Sequence, residues 1–256
     1  MGFGLKYKNK ETVFEEKIME GVPLLTYPLL EKTEFVTHGF TTRMGGVSEG
    51  YCSTMNISTT RGDDPKAIEE NQRRLARALG VRVEDFTYTH QTHTTNVAVV
   101  REEDRGKRFM ETDGMVTDVP GICLVTFYAD CVPLYFVDPV HRAIGLSHSG
   151  WRGTVKRMGQ VTLERMKEAY GTKPEDVFAA IGPSICQDCY EVSEDVASAF
   201  AKEFSGHECE ILIEKGGGKY QLDLWKSNEI VLRLSLIHIY EPTRQAEISY
   251  AVFCLK

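Results

Sequence analysis

Short apolar, β-branched runs punctuate the middle of the chain: NVAVV (96–100), ICLVTFY (122–128), PLYFVD (133–138), AIGLSH (143–148) and VFAAIG (177–182). Their length and flanking turn residues predict buried strands. Elsewhere the period lengthens to that of a helix. DPKAIEENQRRLARALG predicts one, with Asp64 as cap, Pro65 in the first turn and Gly80 closing the end. A second helix is expected after GWRG, where Val155, Met158, Val161, Met166 and Tyr170 recur near helical spacing. A third covers SEDVASAFAKEF behind a Ser193 cap. GGGK (216–219) lacks the Walker spacing and the following Ser or Thr, and reads as a turn. The elements do not alternate as regular βαβ units, which predicts an α+β chain. With no repeat, low-complexity run or linker, one domain is expected.

LDLWKSNEIVLR starts another helical pattern that has no stop signal. From Leu234 the chain reads LSLIHIYEPTRQAEISYAVFCLK, which is similar to the translation of a sequencing-library adapter read in frame. The expected division is therefore a domain over 1–233, lacking its natural C-terminus, and a foreign segment over 234–256. His238 and Cys254 are accordingly set aside as functional candidates.

The formal charge of -7 over 256 residues argues against general attraction to nucleic acid or anionic membranes. No run approaches the roughly 18 apolar residues of a membrane helix, and MGFGLKYKNKETVFEEK is too polar for a signal peptide. Lys6 stands where a myristoylation signal wants Ser or Thr. A cytoplasmic protein is expected. Its seven cysteines are then thiols or ligands, since a reducing compartment disfavours disulfides and an odd number cannot all pair internally.

Three segments place candidate metal ligands at strand ends or in flanking loops: HQTH (90–93), YADCVP (128–133) and LSHSGWRG (146–153). Two His and one Cys suit zinc and leave a fourth position open for water or substrate. Spacing alone leaves the ordinary alternative standing, because buried Cys is common and a strand-end His is usually just hydrogen-bonded. Arg43 precedes a Gly-Gly turn where backbone approaches a ligand closely, and its guanidinium suits phosphate; a solvated arginine is the alternative. Arg152 follows Trp151 where a strand turns into a helix, so an anion is a candidate ligand there. Trp151 itself reads equally as a packing residue.

Taken together, THGFTTRMGGVSEG, MNIS, EENQRRLARALG, QTHTTNV, TDGMVT, YADCVPLYFVDP, LSHSGWRGT and IGPSICQDCYEV resemble the YfiH/YlmD family, long called polyphenol oxidase or laccase-domain proteins. The resemblance runs from about Thr37 to Arg233. It implies a single-domain α+β fold, a mixed β-sandwich core flanked by helices, and a zinc site held by His93, Cys131 and His148. It also implies a purine nucleoside enzyme that phosphorolyses adenosine, inosine and methylthioadenosine and deaminates adenosine. Thr94 stands where the family has Gly, and Ser149 where it has Ala. His90 reads as a neighbour of the site, Arg43, Asn56 and Arg152 as substrate-binding residues, and Cys186 and Cys189 as loop thiols near the pocket. Cys52 and Cys209 carry no motif.

In the implied mechanism zinc lowers the pKa of its water toward about 7 for attack at C6 of adenosine, with Asp130 and Asp113 as candidate acids. Copper is the other metal the ligands accept, as in a phenol oxidase. A metal-free thiol hydrolase, with Cys131 as nucleophile and His148 as base, uses the same atoms. A non-enzymatic nucleotide- or partner-binding protein is the third alternative. Nucleosides and phosphate are the expected partners, with no nucleic acid or membrane, and no oligomeric state is assigned.

Overall fold

A computed structural model describes residues 14–235, 239–240 and 249–255; residues 1–13 of the polar N-terminal segment, Lys6 among them, and His238 lie outside the described residues. The first strands are β1 (Glu15–Met19), β2 (Val22–Thr26), β3 (Val36–Thr41), β4 (Phe86–Thr89), β5 (Val97–Val99), β6 (Arg108–Phe109), β7 (Gly114–Thr117) and β8 (Cys123–Tyr128). They continue as β9 (Val132–Asp138), β10 (Ala143–Ser149), β11 (Phe178–Ile181), β12 (Glu191–Ser193), β13 (Leu212–Gly216), β14 (Lys219–Leu222), β15 (Ile239–Tyr240) and β16 (Ser249–Leu255). The helices are α1 (Pro28–Glu31), α2 (Pro65–Leu79), α3 (Trp151–Val155), α4 (Met158–Tyr170), α5 (Glu194–Glu203), α6 (Glu208–Ile211) and α7 (Leu224–Ser235).

One sheet runs β1-β2-β3-β16-β8-β4-β6 and a second β15-β11-β9-β10-β7-β5; β12, β14 and β13 form a small third sheet. The two large sheets face each other. Strand alternation sends Leu124 and Tyr128 of the first, and Tyr135, Val137, Ile144 and Leu146 of the second, into one shared cluster. The outer face of the second sheet, including Leu134 and Phe136, is covered by Leu163 and Met166 of α4, Phe200 of α5 and Leu232 of α7. Leu75 and Leu79 of α2 cover Phe86, Cys123 and Val125 on the outer face of the first. Buried on both faces, the central strands read as near-continuous apolar runs, and the expected sandwich flanked by helices is what forms.

Helix α2 follows its sequence signals. Asp64 Oδ1 accepts from Lys66 N at 3.0 Å, Pro65 opens the first turn, and Gly80 ends the helix at φ 70°. The expected second helix is instead two, separated where Arg157 adopts φ 57°. Tertiary contacts explain the break. Thr154 bonds Gly150 O (3.0 Å) and receives Asn228 Nδ2 of α7 (3.1 Å), which ties α3 to the end of β10, while α4 must lie along the sheet. Ser193 sits at the N-cap position of α5, yet its hydroxyl bonds the Asp195 carboxylate and caps no backbone N–H.

Two expectations about the tail meet the structure here. The helix opened by Leu224 runs through to Ser235, and the described residues of the 234–256 segment pair in both large sheets, β16 lying between β3 and β8. The expectation that every cysteine is a thiol or ligand is overturned: Cys123 and Cys254 face each other on β8 and β16 with Cα atoms 4.1 Å apart and form a disulfide. The pairing of the two strands creates that proximity, so sequence spacing gives no hint of it.

Candidate functional site

Residues 90–96 link β4 of the first sheet to β5 of the second, and residues 129–131 link β8 of the first to β9 of the second. His93 and Cys131 therefore sit where the chain crosses between the layers. His148, near the end of β10, pairs opposite Pro133 of β9 and so lies beside the Cys131 turn. The ligand atoms of the three residues lie within 4.8 Å of one another, and among the described residues they form the single such His/Cys/acid cluster.

Asp113 holds this arrangement from behind. Its carboxylate is fully buried and accepts from His148 Nδ1 at 2.8 Å. It also accepts from the backbone N–H of Thr92 (3.1 Å), His93 (3.0 Å) and Thr94 (2.9 Å), and from the Thr94 hydroxyl (2.9 Å). Engaging Nδ1 leaves Nε2 of His148 as the ring nitrogen for a ligand. The backbone bonds secure His93 at φ 60°, a conformation that costs a non-glycine residue about 1 kcal/mol or more. Gly150 completes the cradle: a Cβ there would lie 2.7 Å from His93 Nδ1 and 3.0 Å from Cys131 Sγ. This recess lined by two imidazoles and a thiol fits a divalent zinc-like cation.

The electrostatics agree. Burial pushes the Asp113 carboxyl up, but the hydrogen bonds from His148, Thr94 and Thr92 outweigh it and hold it at about 2. Asp113 is thus an ionised, saturated carboxylate at neutral pH, which removes it as a candidate proton donor. Burial, reinforced by Asp130 and Asp113, pushes the Cys131 thiol up to about 12, so a bound cation is what would make it a thiolate. Burial first, then the neighbouring His148, lowers His93.

The triad opens into a cavity of about 770 Å³, a size suited to a small organic ligand. Arg43, Asn56, His90 and Asp130 line it. Asn56 serves the wall more than the space: Nδ2 donates to Asp63 Oδ2 (2.8 Å) and Oδ1 accepts from Ser58 N (3.0 Å). The wall is pinned from α2 by buried Asn71, which accepts from Val47 N (2.8 Å) and donates to Ser48 Oγ (2.8 Å), Thr54 O (3.1 Å) and Asn56 O (2.8 Å). Within that wall Gly45 takes φ 91°, and a Cβ on Gly46 would meet Thr54 O at 2.1 Å, so the Gly-Gly turn is required sterically.

Arg152 does not line this cavity; its guanidinium rests 4.2 Å over the Trp151 ring, although its charge acts on His93. Cys186 is buried and Cys189 exposed, and neither lines the cavity. Sequence reasoning missed Tyr51, Cys52, Arg61, Arg108 and Phe127, all of which line it. Phe127 was legible only as a strand residue, and the others carry no motif. A cavity of similar volume beside Arg101, Asp118, Arg165 and Tyr170 contains none of the three ligands.

Comparison with known proteins bears on this geometry. Residues 37–246 match a family model described as multi-copper polyphenol oxidoreductase laccase. A purine nucleoside phosphorylase of Deinococcus radiodurans is 44% identical over 212 residues, covering 83% of this chain and 78% of the relative. Adenosine deaminase RL5, from an unknown prokaryotic organism, is 35% identical over 216 residues, 79% of this chain and 82% of that protein. The crystal structure of YlmD from Geobacillus stearothermophilus superposes with a TM-score of 0.85 at 27% identity, covering 96% of this chain and all (100%) of the other.

Proposed function

Because the chain belongs to the polyphenol oxidoreductase laccase family, we propose that it is a zinc-dependent enzyme of purine nucleosides, cleaving adenosine, inosine and methylthioadenosine with phosphate and deaminating adenosine. The observation that carries this reading is the convergence of His93, Cys131 and His148 within 4.8 Å on a cavity of nucleoside size.

His93, Cys131 and His148 would hold the ion, and zinc bound there supplies a Lewis acid and lowers the pKa of water. The other roles fall to the chain. Arg43 offers a guanidinium fork to the phosphate that must reach C1′ of the ribose. Asn56 fixes the wall against which the nucleoside lies, and Arg152 adds positive charge beside His93. Asp130, exposed on the cavity next to Cys131, would take the proton of the water that adds at C6 and pass it to the departing amine, a shuttle closed to Asp113, which is buried and accepts five hydrogen bonds. The metal-free thiol reading is disfavoured by the burial that pushes the Cys131 thiol up to about 12, since a nucleophilic cysteine needs its thiolate.

The test is chromatography of adenosine incubated with phosphate and purified, zinc-loaded protein, beside Cys131→Ala. Adenine in the products marks phosphorolysis and inosine marks deamination, each absent from the variant. A folded, zinc-loaded protein that yields neither product overturns the proposal. Metal analysis of the purified protein decides between zinc and copper.

A further inference from the structure

Three arginines, Arg43, Arg61 and Arg108, line the cavity beside the triad against one acidic residue, Asp130. In a chain with 37 acidic and 30 basic residues, that local excess of positive charge runs against the background. Several arginines elsewhere are held by carboxylates, Arg74 by Glu70, Arg82 and Arg105 by Asp85 and Arg157 by Glu203, while Arg142 and Arg152 rest on aromatic rings outside this cavity. Arg61 and Arg108 pair with no carboxylate among the described residues.

Arg108 is nonetheless held in place. Its guanidinium lies 5.3 Å from the Tyr88 ring centroid and 5.9 Å from that of Phe127, two rings stacked at 6.0 Å and 14°. Stacking fixes the group at small entropic cost and leaves its N–H donors for a ligand. On the same cavity, the Tyr51 hydroxyl donates to the Arg61 carbonyl and fixes the backbone that carries the second arginine. Phosphorolysis requires one anion, which Arg43 serves. Two further unpaired guanidinium groups on the same cavity call for a second anionic group.

We infer that the cavity also takes purine nucleoside 5′-monophosphates, with the phosphoryl group held by Arg61 and Arg108 at the rim and the purine directed towards the metal ligands. Nucleotides would then compete with nucleosides for one site. This rests on the nucleoside reading above.

Inosine and inosine 5′-monophosphate, titrated calorimetrically into the zinc-loaded full chain in phosphate-free buffer, test it; without phosphate neither is cleaved, and neither carries an amine to lose. The nucleotide is expected to bind about tenfold more tightly at low ionic strength, with the advantage shrinking as salt is added. An Arg61→Ala/Arg108→Ala variant, changed only at exposed positions, should lose that advantage while its inosine affinity stays within about threefold. A nucleotide no tighter than inosine, or an advantage that survives in the variant, overturns the inference and leaves the nucleoside reading standing. Inorganic phosphate that binds the wild type and not the variant, with no nucleotide advantage, also overturns it by assigning both arginines to the co-substrate. If neither inosine nor its monophosphate binds, the nucleoside reading falls and this inference with it.

Discussion

Replacing Asp113 by Asn changes one atom and separates the two tasks of this carboxylate. One oxygen accepts from His148 Nδ1 and His93 N, the other from Thr92 N, Thr94 N and the Thr94 hydroxyl. If Asn keeps its oxygen towards His148, its amide nitrogen confronts two N–H donors that have nowhere else to turn, each costing about 1–3 kcal/mol. The charge gives a second measure: lowering the carboxyl from 3.8 to about 2 corresponds to about 2.5 kcal/mol. Asp113→Asn should therefore destabilise the metal-free protein by roughly 2–5 kcal/mol at pH 7 in urea denaturation. Because the folded carboxyl titrates below its unfolded value, the contribution is present above pH 3.8 and is lost as pH falls through about 2, so the two proteins should converge in acid. With His148 no longer oriented by an anion, zinc affinity measured by chelator competition should fall about 10- to 100-fold. A variant within about 0.5 kcal/mol of wild type, with unchanged zinc affinity, would refute this account of the site.

Gly150→Ala should leave melting of the metal-free chain within a few degrees, since φ -73° suits alanine, yet lower zinc affinity at least about 100-fold by crowding His93 and Cys131; intact metal binding would contradict the cradle geometry. Asn71→Ala, which strips four hydrogen bonds from the cavity wall, should cost about 2–4 kcal/mol in denaturation and raise KM for adenosine more than it lowers kcat. Asp85 is held at about 2 by the Arg82 guanidinium against the opposing effect of burial, with Arg105 assisting. Asp85→Asn should cost about 1–2 kcal/mol at pH 7, discounted for the exposure of Arg82, and the loss should vanish between pH 3.8 and about 2; urea midpoints across that range decide.

Strands and helix α2 were readable because their signals are local: an apolar run, a cap, a terminal glycine. The break at Arg157 was not, because it answers to Thr154 and Asn228, which are 74 residues apart. Spacing alone gave the metal ligands little weight, since His93, Cys131 and His148 meet through the docking of sheets. The motifs around them, read as a family resemblance, supplied what periodicity lacks. Asp113 was visible as a carboxylate, but whether it donates or accepts depends on the five donors the fold places around it: His148, the Thr92–Thr94 backbone and the Thr94 hydroxyl. Arg61 and Arg108 carried no signal, because a cavity lining assembled from a loop and a short strand far apart in the chain has no sequence period.

His93 and Cys131 lie on two of the chain crossings that join the facing layers, and His148 belongs to one of those layers. The site is therefore a gauge of how the layers are seated. A substitution at Tyr135 or Leu124, buried between the sheets in the cluster against which Cys131 packs, would shift the spacing of the crossings by fractions of an ångström and detune a coordination shell that tolerates about 0.2 Å. Selection on such core positions would then record chemistry as well as packing, and damage to catalysis would surface far from any residue that meets the substrate.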